Sequence, residues 1–320
     1  MHGYQGAAPG AGVAVLRDGV PIFRRAYGLA DLEDRVGATA ATNYRLASLT
    51  KQFTAAAILL LAEAGKLSID DPVRRWLPTL PHTADDIVIR HLLTHASGLI
   101  DYEDLIPDGR TAQLRDGDVL GLLETENRGY FPAGSGYRYS NSGYSLLALI
   151  VGRASGEDFA SFLRERIFQP LGMRNTVAFE SGISVVAHRA FGYSGTEHSW
   201  TRTDQDLTSA TLGDGGIYSS IDDLAKWETA LCGDRLLRQE SLRLAFQPAI
   251  QTDDPAVQYG FGWRITGESR WHSGESIGFR NVIVRFLEQR LTVIVLTNRN
   301  DPAPYPTALA IAKVFAHGSG

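Results

Sequence analysis

The sequence predicts an α+β fold: an antiparallel sheet built from both ends of the chain and flanked by helices, with a mainly helical domain between. Three observations lead to this. Strand-like runs crowd the two ends of the 320 residues. Helical periodicity fills the middle. The terminal strands are joined by tight links, as antiparallel neighbours allow, and the alternation of strands and helices that marks a parallel sheet is missing. Residues 1–45 and 205–320 are expected to form the sheet-and-helix domain and 46–204 the helical one.

The elements follow in order. Ala11 to Leu16 is a valine-rich apolar run, Asp18-Gly19 is a hairpin-turn pair, and Val20 to Tyr27 runs back. Gly28 to Tyr44 is looser. From Gln52 to Ala62 there is no charge. Phe53, Ala56, Ala57, Leu60, Leu61 and Ala64 recur at helical spacing, while Ile58 and Leu59 cover the other side. A helix that is apolar nearly all round is buried in a core, and this one is too short to cross a bilayer. Gly65 is its stop. Ile87 to Leu93 predicts a short helix ended near Ser97-Gly98, and Asp118 to Leu123 another. Ser142 to Arg153 predicts a helix with Leu146, Leu147, Ile150 and Val151 inward. Glu157 to Phe168 predicts the next, stopped by Pro170. Ile221 to Leu231 is helical, with Asp222-Asp223 in its first turn. Tyr259 to Ile265, Glu268 to His272, Asn281 to Leu287 and Leu291 to Thr297 are strand-like, and Glu288-Gln289-Arg290 links the last two. A final helix spans about Pro306 to Ala316.

Composition narrows the class. Hydrophobic residues make up 44% and charged residues 21%, the balance of a soluble, well-packed protein. A net charge of -5 argues against a nucleic-acid or anionic-membrane surface. Cys232 is the one cysteine, so neither an internal disulfide nor a cysteine metal cluster is available. No stretch is long enough to span a membrane. Met1 to Gly6 has no basic segment followed by an apolar one, so no secretory signal is expected in the sequence shown. That fits a cytoplasmic protein, or a periplasmic or extracellular one with its signal trimmed. Oligomeric state is left open.

Chemistry concentrates at Ser48-Leu49-Thr50-Lys51, at the head of the apolar helix. A spacing of three puts Ser48 and Lys51 on one face. The positive end of the helix dipole and burial both favour a neutral amine, and a neutral lysine beside a serine hydroxyl is a base beside a nucleophile. Only four of the 31 basic residues are lysines, and lysine can give up a proton where arginine cannot. The alternative is a snorkelling Lys51 with Ser48 as a helix cap. A second candidate is Tyr139-Ser140-Asn141, after the turn-rich Phe131-Pro132-Ala133-Gly134-Ser135-Gly136. It offers a proton carrier and a bifunctional amide, or simply packing and a cap. The third is Trp271-His272-Ser273-Gly274-Glu275, where a strand glycine marks either close approach of a ligand backbone or a bend.

In this order the three motifs resemble the penicillin-recognising serine hydrolases: class C β-lactamases, D-alanyl-D-alanine carboxypeptidases, D-aminopeptidases and related family VIII esterases. Tyr44 to Thr54, Leu92 to Leu99, Pro132 to Gly172, Gly215 to Ser220 and Tyr259 to Trp263 share the likeness, which covers almost the whole chain. The resemblance implies a β-lactamase/transpeptidase-like fold and an acyl-enzyme reaction without metal or organic cofactor, on a small-molecule or peptide-like substrate. It implies Ser48 as nucleophile, with Lys51 and Tyr139 sharing the proton traffic and the choice of base open. Asn141 would hold the substrate amide and fix Lys51. His272 would hydrogen-bond near Tyr139, Ser273 would donate to substrate, and Gly274 would let the acyl group lie against the strand. The backbone N–H groups of Ser48 and Glu275 would form the oxyanion hole, where losing one donor typically costs about 3–4 kcal/mol.

Two residues depart from the β-lactamase pattern. His272 stands where many relatives carry lysine, which removes a fixed positive charge, and Glu275 is acidic. A protein carboxylate about 4–6 Å from a substrate carboxylate repels it, unless Glu275 points away or Arg280 compensates. Hydrolysis of an ester, or of an amide without a terminal carboxylate, is therefore expected ahead of efficient β-lactamase or carboxypeptidase activity. From another class, the chain could be a sensor that is acylated and not released, or a scaffold with a degenerate site.

Other motifs compete. Gly274-Glu275-Ser276-Ile277-Gly278 matches the nucleophile elbow of α/β-hydrolases, with Asp301 and His317 following, but a strand rather than a helix is expected after Ser276. His91 and His95 have metal-ligand spacing without the glutamate of a zinc protease, which favours a structural role. His82, His188 and His198 are expected on the surface or in loops. Asp214 reads as a turn residue first and a possible cleft liner second, and Tyr102, Tyr137 and Trp200 as possible cleft liners.

Overall fold

The computed structural model describes residues 1–196 and 199–317; His198 lies outside them. Its centre is an eight-stranded antiparallel sheet. The strands are β1 (Ala11–Arg17), β2 (Val20–Tyr27), β3 (Ile250–Gln251), β4 (Gln258–Tyr259), β5 (Arg264–Thr266), β6 (Ser269–Ser276), β7 (Phe279–Phe286) and β8 (Leu291–Thr297). They lie in the order β3-β4-β5-β6-β7-β8-β1-β2. The pairing of Ala11 with Thr297 joins the two chain ends, as the terminal strand patterns predict.

Strand alternation explains the layers on either side. Val13, Val15, Val282, Val284, Val293 and Val295 face one way and bury Ala308 and Ala312 of the C-terminal helix Tyr305–His317. Ala14, Leu16, Ile283, Ile294 and Leu296 face the other way, toward the main core. There they meet Ile221, Leu224 and Trp227 of the helix Ile221–Ala230. The helix α1 (Thr50–Glu63) lies in this core with eleven of its residues buried. It is as apolar all round as its sequence requires, and Gly65 ends it at φ +67°.

The other predicted helices form at Ile89–Leu93, Asp116–Glu124 and α2 (Asn141–Ser155). Two expectations need correction. Pro170 does not stop the helical stretch after Glu157. That stretch runs as Phe159–Leu163, a wide π turn at Arg164–Phe168, and Gln169–Leu171, ending at Gly172 with φ +70°. Pro170 falls in the first turn after the π segment, where a missing N–H is tolerated. Nor is Tyr259 to Ile265 one strand. It breaks into β4 and β5 around Gly262 at φ +76°, where a Cβ would stand 2.7 Å from the Lys51 carbonyl oxygen. The break lets this turn pack onto the head of α1.

Candidate active site

Ser48 sits in a tight turn, Ala47–Leu49, that runs directly into α1. Ala47 is held at φ +50°, a left-handed conformation that costs a residue with a Cβ about 1–2 kcal/mol. The strain aims Ser48 outward: between residues 42 and 59 it is the one that is not fully buried. Its hydroxyl does not cap the helix, since Leu49 is the cap position and offers no side-chain bond.

One turn on, Lys51 is fully buried. Its Nζ donates to Ser48 Oγ at 3.0 Å, Asn141 Oδ1 at 2.8 Å and the Asp214 carbonyl oxygen at 3.0 Å. The snorkelling alternative is excluded by this geometry. Two of the three partners can only accept. The third is the serine hydroxyl, so a lone pair on Nζ would face Ser48.

Asn141 opens α2, and three bonds fix it. Its N–H donates to Asp101 Oδ2 at 2.6 Å, its Oδ1 accepts from Lys51, and its Nδ2 donates to Glu103 Oε1 at 2.7 Å. Ser142 Oγ adds a stitch, accepting from the Tyr102 N–H at 2.7 Å. Asp101 and Glu103 were not singled out from sequence; with Asp104 they read as an acidic turn until the fold sets them beside Asn141. Asp214 is similar. Its carbonyl holds Lys51 while its carboxylate accepts from Tyr102 Oη at 3.3 Å. Burial raises its pKa against the opposing pull of Lys51. Tyr102 is therefore buried support and does not line an opening.

Tyr139 is partly exposed and rests on a ring of aromatic groups. Its centroid is 4.3 Å from His95, 6.2 Å from His272 and 6.5 Å from Tyr259. Lys51 stands between the two candidate groups, 3.0 Å from Ser48 Oγ and 4.9 Å from the Tyr139 centroid. His95 takes the structural role expected of it: Nδ1 accepts from the Ser140 N–H at 3.1 Å. Burial, reinforced by Lys51, holds it well below the ordinary histidine range, so the ring is neutral.

The third motif differs in detail from expectation. His272 is buried with its ring centroid 6.2 Å from that of Tyr139, and it bonds to the neighbouring Tyr259 rather than to Tyr139 itself. Its Nδ1 donates to the Ser273 carbonyl at 2.6 Å, which leaves Nε2 to accept from Tyr259 Oη at 2.9 Å. Burial, with Arg264 and Lys51 adding to it, pushes its pKa well down. A neutral ring with both nitrogens occupied cannot stand in for lysine. Gly274 has a reason of its own: a Cβ there would lie 2.0 Å from the Leu46 carbonyl oxygen and 3.2 Å from the Leu49 nitrogen. The glycine lets β6 press against the turn that carries Ser48. Opposite it in β7, Asn281 is fully buried and donates to the Arg45 carbonyl at 2.8 Å, tying the sheet to the same turn. Ser273 is partly exposed. Glu275 is exposed and lies 3.7 Å from the Arg280 guanidinium.

Serine, buried lysine, tyrosine, amide and glycine strand are thus gathered at one place. The Beta-lactamase family model matches residues 2–317 of the sequence. The chain belongs to the Beta-lactamase family. It is a serine-type hydrolase of that family. It is 33% identical over 308 residues to penicillin-binding protein 4* of Bacillus subtilis strain 168, an alignment covering 90% of this chain and 68% of that one. It is 29% identical over 312 residues to a D-aminopeptidase of Gluconobacter oxydans, covering 95% of this chain and 58% of the other. It therefore spans about three-fifths to two-thirds of these relatives' lengths. Among solved structures, the D-amino acid amidase of Ochrobactrum anthropi SV3 complexed with L-phenylalanine superposes with a TM-score of 0.81 at 26% identity. That match covers 96% of this chain and 94% of the amidase.

For a Beta-lactamase family chain the competing motifs fall into place as support. Ser276 ends β6 and is followed by the strand β7, so the elbow reading fails. His91 Nδ1 accepts from the Val88 N–H and His95 Nδ1 from Ser140, so the pair is turned to backbone and not to a shared ion. Among the described residues no helix is long and apolar enough to cross a membrane.

Proposed function

We propose that the chain cleaves an ester or amide through an acyl-enzyme formed on Ser48. In this reading Lys51 and Tyr139 carry the proton from Ser48 Oγ to the leaving group. Asn141 holds Lys51, and its second Nδ2 hydrogen is available to the substrate amide. The N–H groups of Ser48 and Glu275 receive the oxyanion, with Ser273 as a further donor. The observation that carries the reading is the cradle around Lys51: a fully buried amine, 3.0 Å from a partly exposed serine hydroxyl, whose other two partners are acceptors. The reacting groups would lie between a sheet-and-helix domain, residues 1–45 and 205–320, and a helical domain, 46–204.

The substrate class follows from charge. His272 supplies no cation, Glu103 leaves an exposed carboxylate beside Asn141, and the Glu275 carboxylate is exposed with Arg280 3.7 Å away. These features favour an ester or a D-amino-acid amide over a β-lactam or a peptide with a free terminal carboxylate. The D-amino acid amidase and D-aminopeptidase among its relatives are in keeping with that choice. The test compares turnover of p-nitrophenyl acetate, D-phenylalanine amide and nitrocefin by wild type and Ser48→Ala. Ester or amide turnover that vanishes in Ser48→Ala is expected, with slow nitrocefin hydrolysis. Fast nitrocefin with poor ester and amide turnover overturns the substrate choice. A stable mass adduct on Ser48 without turnover would make the protein an acylated sensor instead.

A further inference from the structure

The third motif brings no positive charge to Tyr139, yet a guanidinium arrives from the neighbouring strand. Arg264 opens β5 and pairs with Trp271, one residue before His272. Its Cζ lies 5.4 Å from the Tyr139 centroid and 5.5 Å from the Trp271 ring. The side chain is partly buried, and its Nε is buried without a partner. Among the described residues it has neither an ion pair nor a side-chain hydrogen bond. It shares this state with the buried Arg45, which lies over the Tyr218 ring, and differs from Arg285 with Glu228, Arg202 with Asp31, and Arg189 with Asp204. An arginine kept from every carboxylate and laid against an aromatic face acts on that face.

Its position is also marked by the sheet. β5 pairs with β6 only from Ser269 to Trp271, whereas β6 continues along β7 to Ser276. Arg264, opposite Trp271, is therefore the last pair before the edge of β6 opens toward Ser273 and Gly274. The groups facing Tyr139 are Lys51 from α1, neutral His95 from its loop, neutral His272 from β6, Tyr259 from β4 and Arg264 from β5. Two of them are basic, and Lys51 is committed to Ser48 and Asn141.

We propose that Arg264 is a positioning residue for the reaction, supplying over the Tyr139 ring the fixed positive charge that the third motif lacks. The inference rests on the acyl-enzyme reading above. As Ser48 Oγ bonds the carbonyl carbon, its proton must leave and later reach the departing group. A cation over Tyr139 stabilises the phenol oxygen while it carries excess negative charge and holds the ring beside Lys51. This effect belongs to the transition state, so it appears in kcat and not in KM.

The test uses the full chain with p-nitrophenyl acetate and with a p-nitrophenyl ester that bears a free carboxylate. Wild type is first compared with Ser48→Ala. If release of p-nitrophenol does not depend on Ser48, the acyl-enzyme reading itself fails. Arg264→Gln is expected to lower kcat about ten-fold with KM within about two-fold, and Arg264→Lys to restore most of the loss. In a Tyr139→Phe background, Arg264→Gln should lower the residual rate by less than about two-fold, because the group it acts through is gone. Should Arg264→Gln fold poorly, Arg264→Met fits between the two rings and carries the same expectation. Ser48-dependent turnover that is unchanged in Arg264→Gln overturns the inference. So does equal damage by glutamine and lysine, which would mean shape and not charge. A loss confined to KM for carboxylate-bearing esters also overturns it, and would make Arg264 a substrate-anion site.

Discussion

Gly274→Ala separates two reasons for a glycine in the third motif. If the glycine serves the substrate, alanine should raise KM and leave the free protein as stable as before. The geometry says otherwise. The added methyl would stand 2.0 Å from the Leu46 carbonyl oxygen. A carbon and a carbonyl oxygen settle no closer than about 3.3 Å, so one of the two segments must retreat by about 1.3 Å. Neither is free to do so. Asn281, paired with Gly274 in β7, bonds the Arg45 carbonyl at 2.8 Å and takes the Thr297 N–H at 3.1 Å. Leu46 itself donates its N–H to the Ile217 carbonyl at 2.8 Å. Overpacking against fixed backbone costs about 1–3 kcal/mol, with more where nothing can relax, and the upper end is expected here. Because the displaced turn carries Ser48, a misplacement of about 1 Å should also lower kcat roughly 100-fold. Urea unfolding and p-nitrophenyl acetate turnover measure the two effects on the same variant. Stability within about 0.5 kcal/mol of wild type, with kcat intact, would refute the contact argument. A selective rise in KM would return the glycine to the substrate.

Three further outcomes follow from the same geometry. Asn281→Ala leaves the Arg45 carbonyl and the Thr297 N–H unpaired in the core, so urea unfolding should show a loss of about 3 kcal/mol. Glu103→Gln keeps an acceptor for Asn141 Nδ2 and should change kcat less than about three-fold, whereas Glu103→Ala frees the amide and should lower kcat about five- to ten-fold. His272 has a folded-state pKa depressed by burial, so its contribution to stability is present above the ordinary value near 6.5 and is lost as pH falls below it. Raised groups such as Asp116, which burial and the Asp214 charge push up to about 7, slope the other way, so the histidine term is read as a difference. Between pH 6 and 5 wild type should lose about 1 kcal/mol per pH unit more than His272→Gln, and parallel curves would show that the ring is not held neutral.

Much of this architecture could be read from residues alone because its signals are local. The run Gln52 to Ala62 has no polar face, and it lies buried as α1. Valine alternation in the terminal strands puts Val293 and Val295 on one face and Ile294 and Leu296 on the other. Ser48 and Lys51 share a helical turn, so their meeting follows from spacing. What could not be read is whatever a distant segment decides. Tyr259 to Ile265 has strand character throughout, and it is broken by the approach of Gly262 to the Lys51 carbonyl. Asp101, Glu103 and Asp214 look like ordinary loop acids until Asn141 and Lys51 arrive beside them. His272 occupies a lysine position in the motif, and only the Tyr259 hydroxyl shows that it replaces the charge with a neutral, doubly bonded ring.

The same point bears on why the short motif at Ser48 needs the entire chain. A buried amine without oxygen partners costs several kcal/mol, so Lys51 cannot occupy its place on the strength of α1 alone. Its three partners lie 3, 90 and 163 residues away. Ser48 is in turn braced by Gly274 and Asn281 from the C-terminal strands. Each group that could move a proton is therefore held by segments that meet only in the finished fold, and no local part of the chain can assemble the site ahead of the rest. A substitution that loosens one brace should then lower activity before it unfolds the protein. The hold of Asn141 and Asp214 on Lys51 depends on small relative shifts of these segments, whereas global stability is spread over the two layers of the sheet.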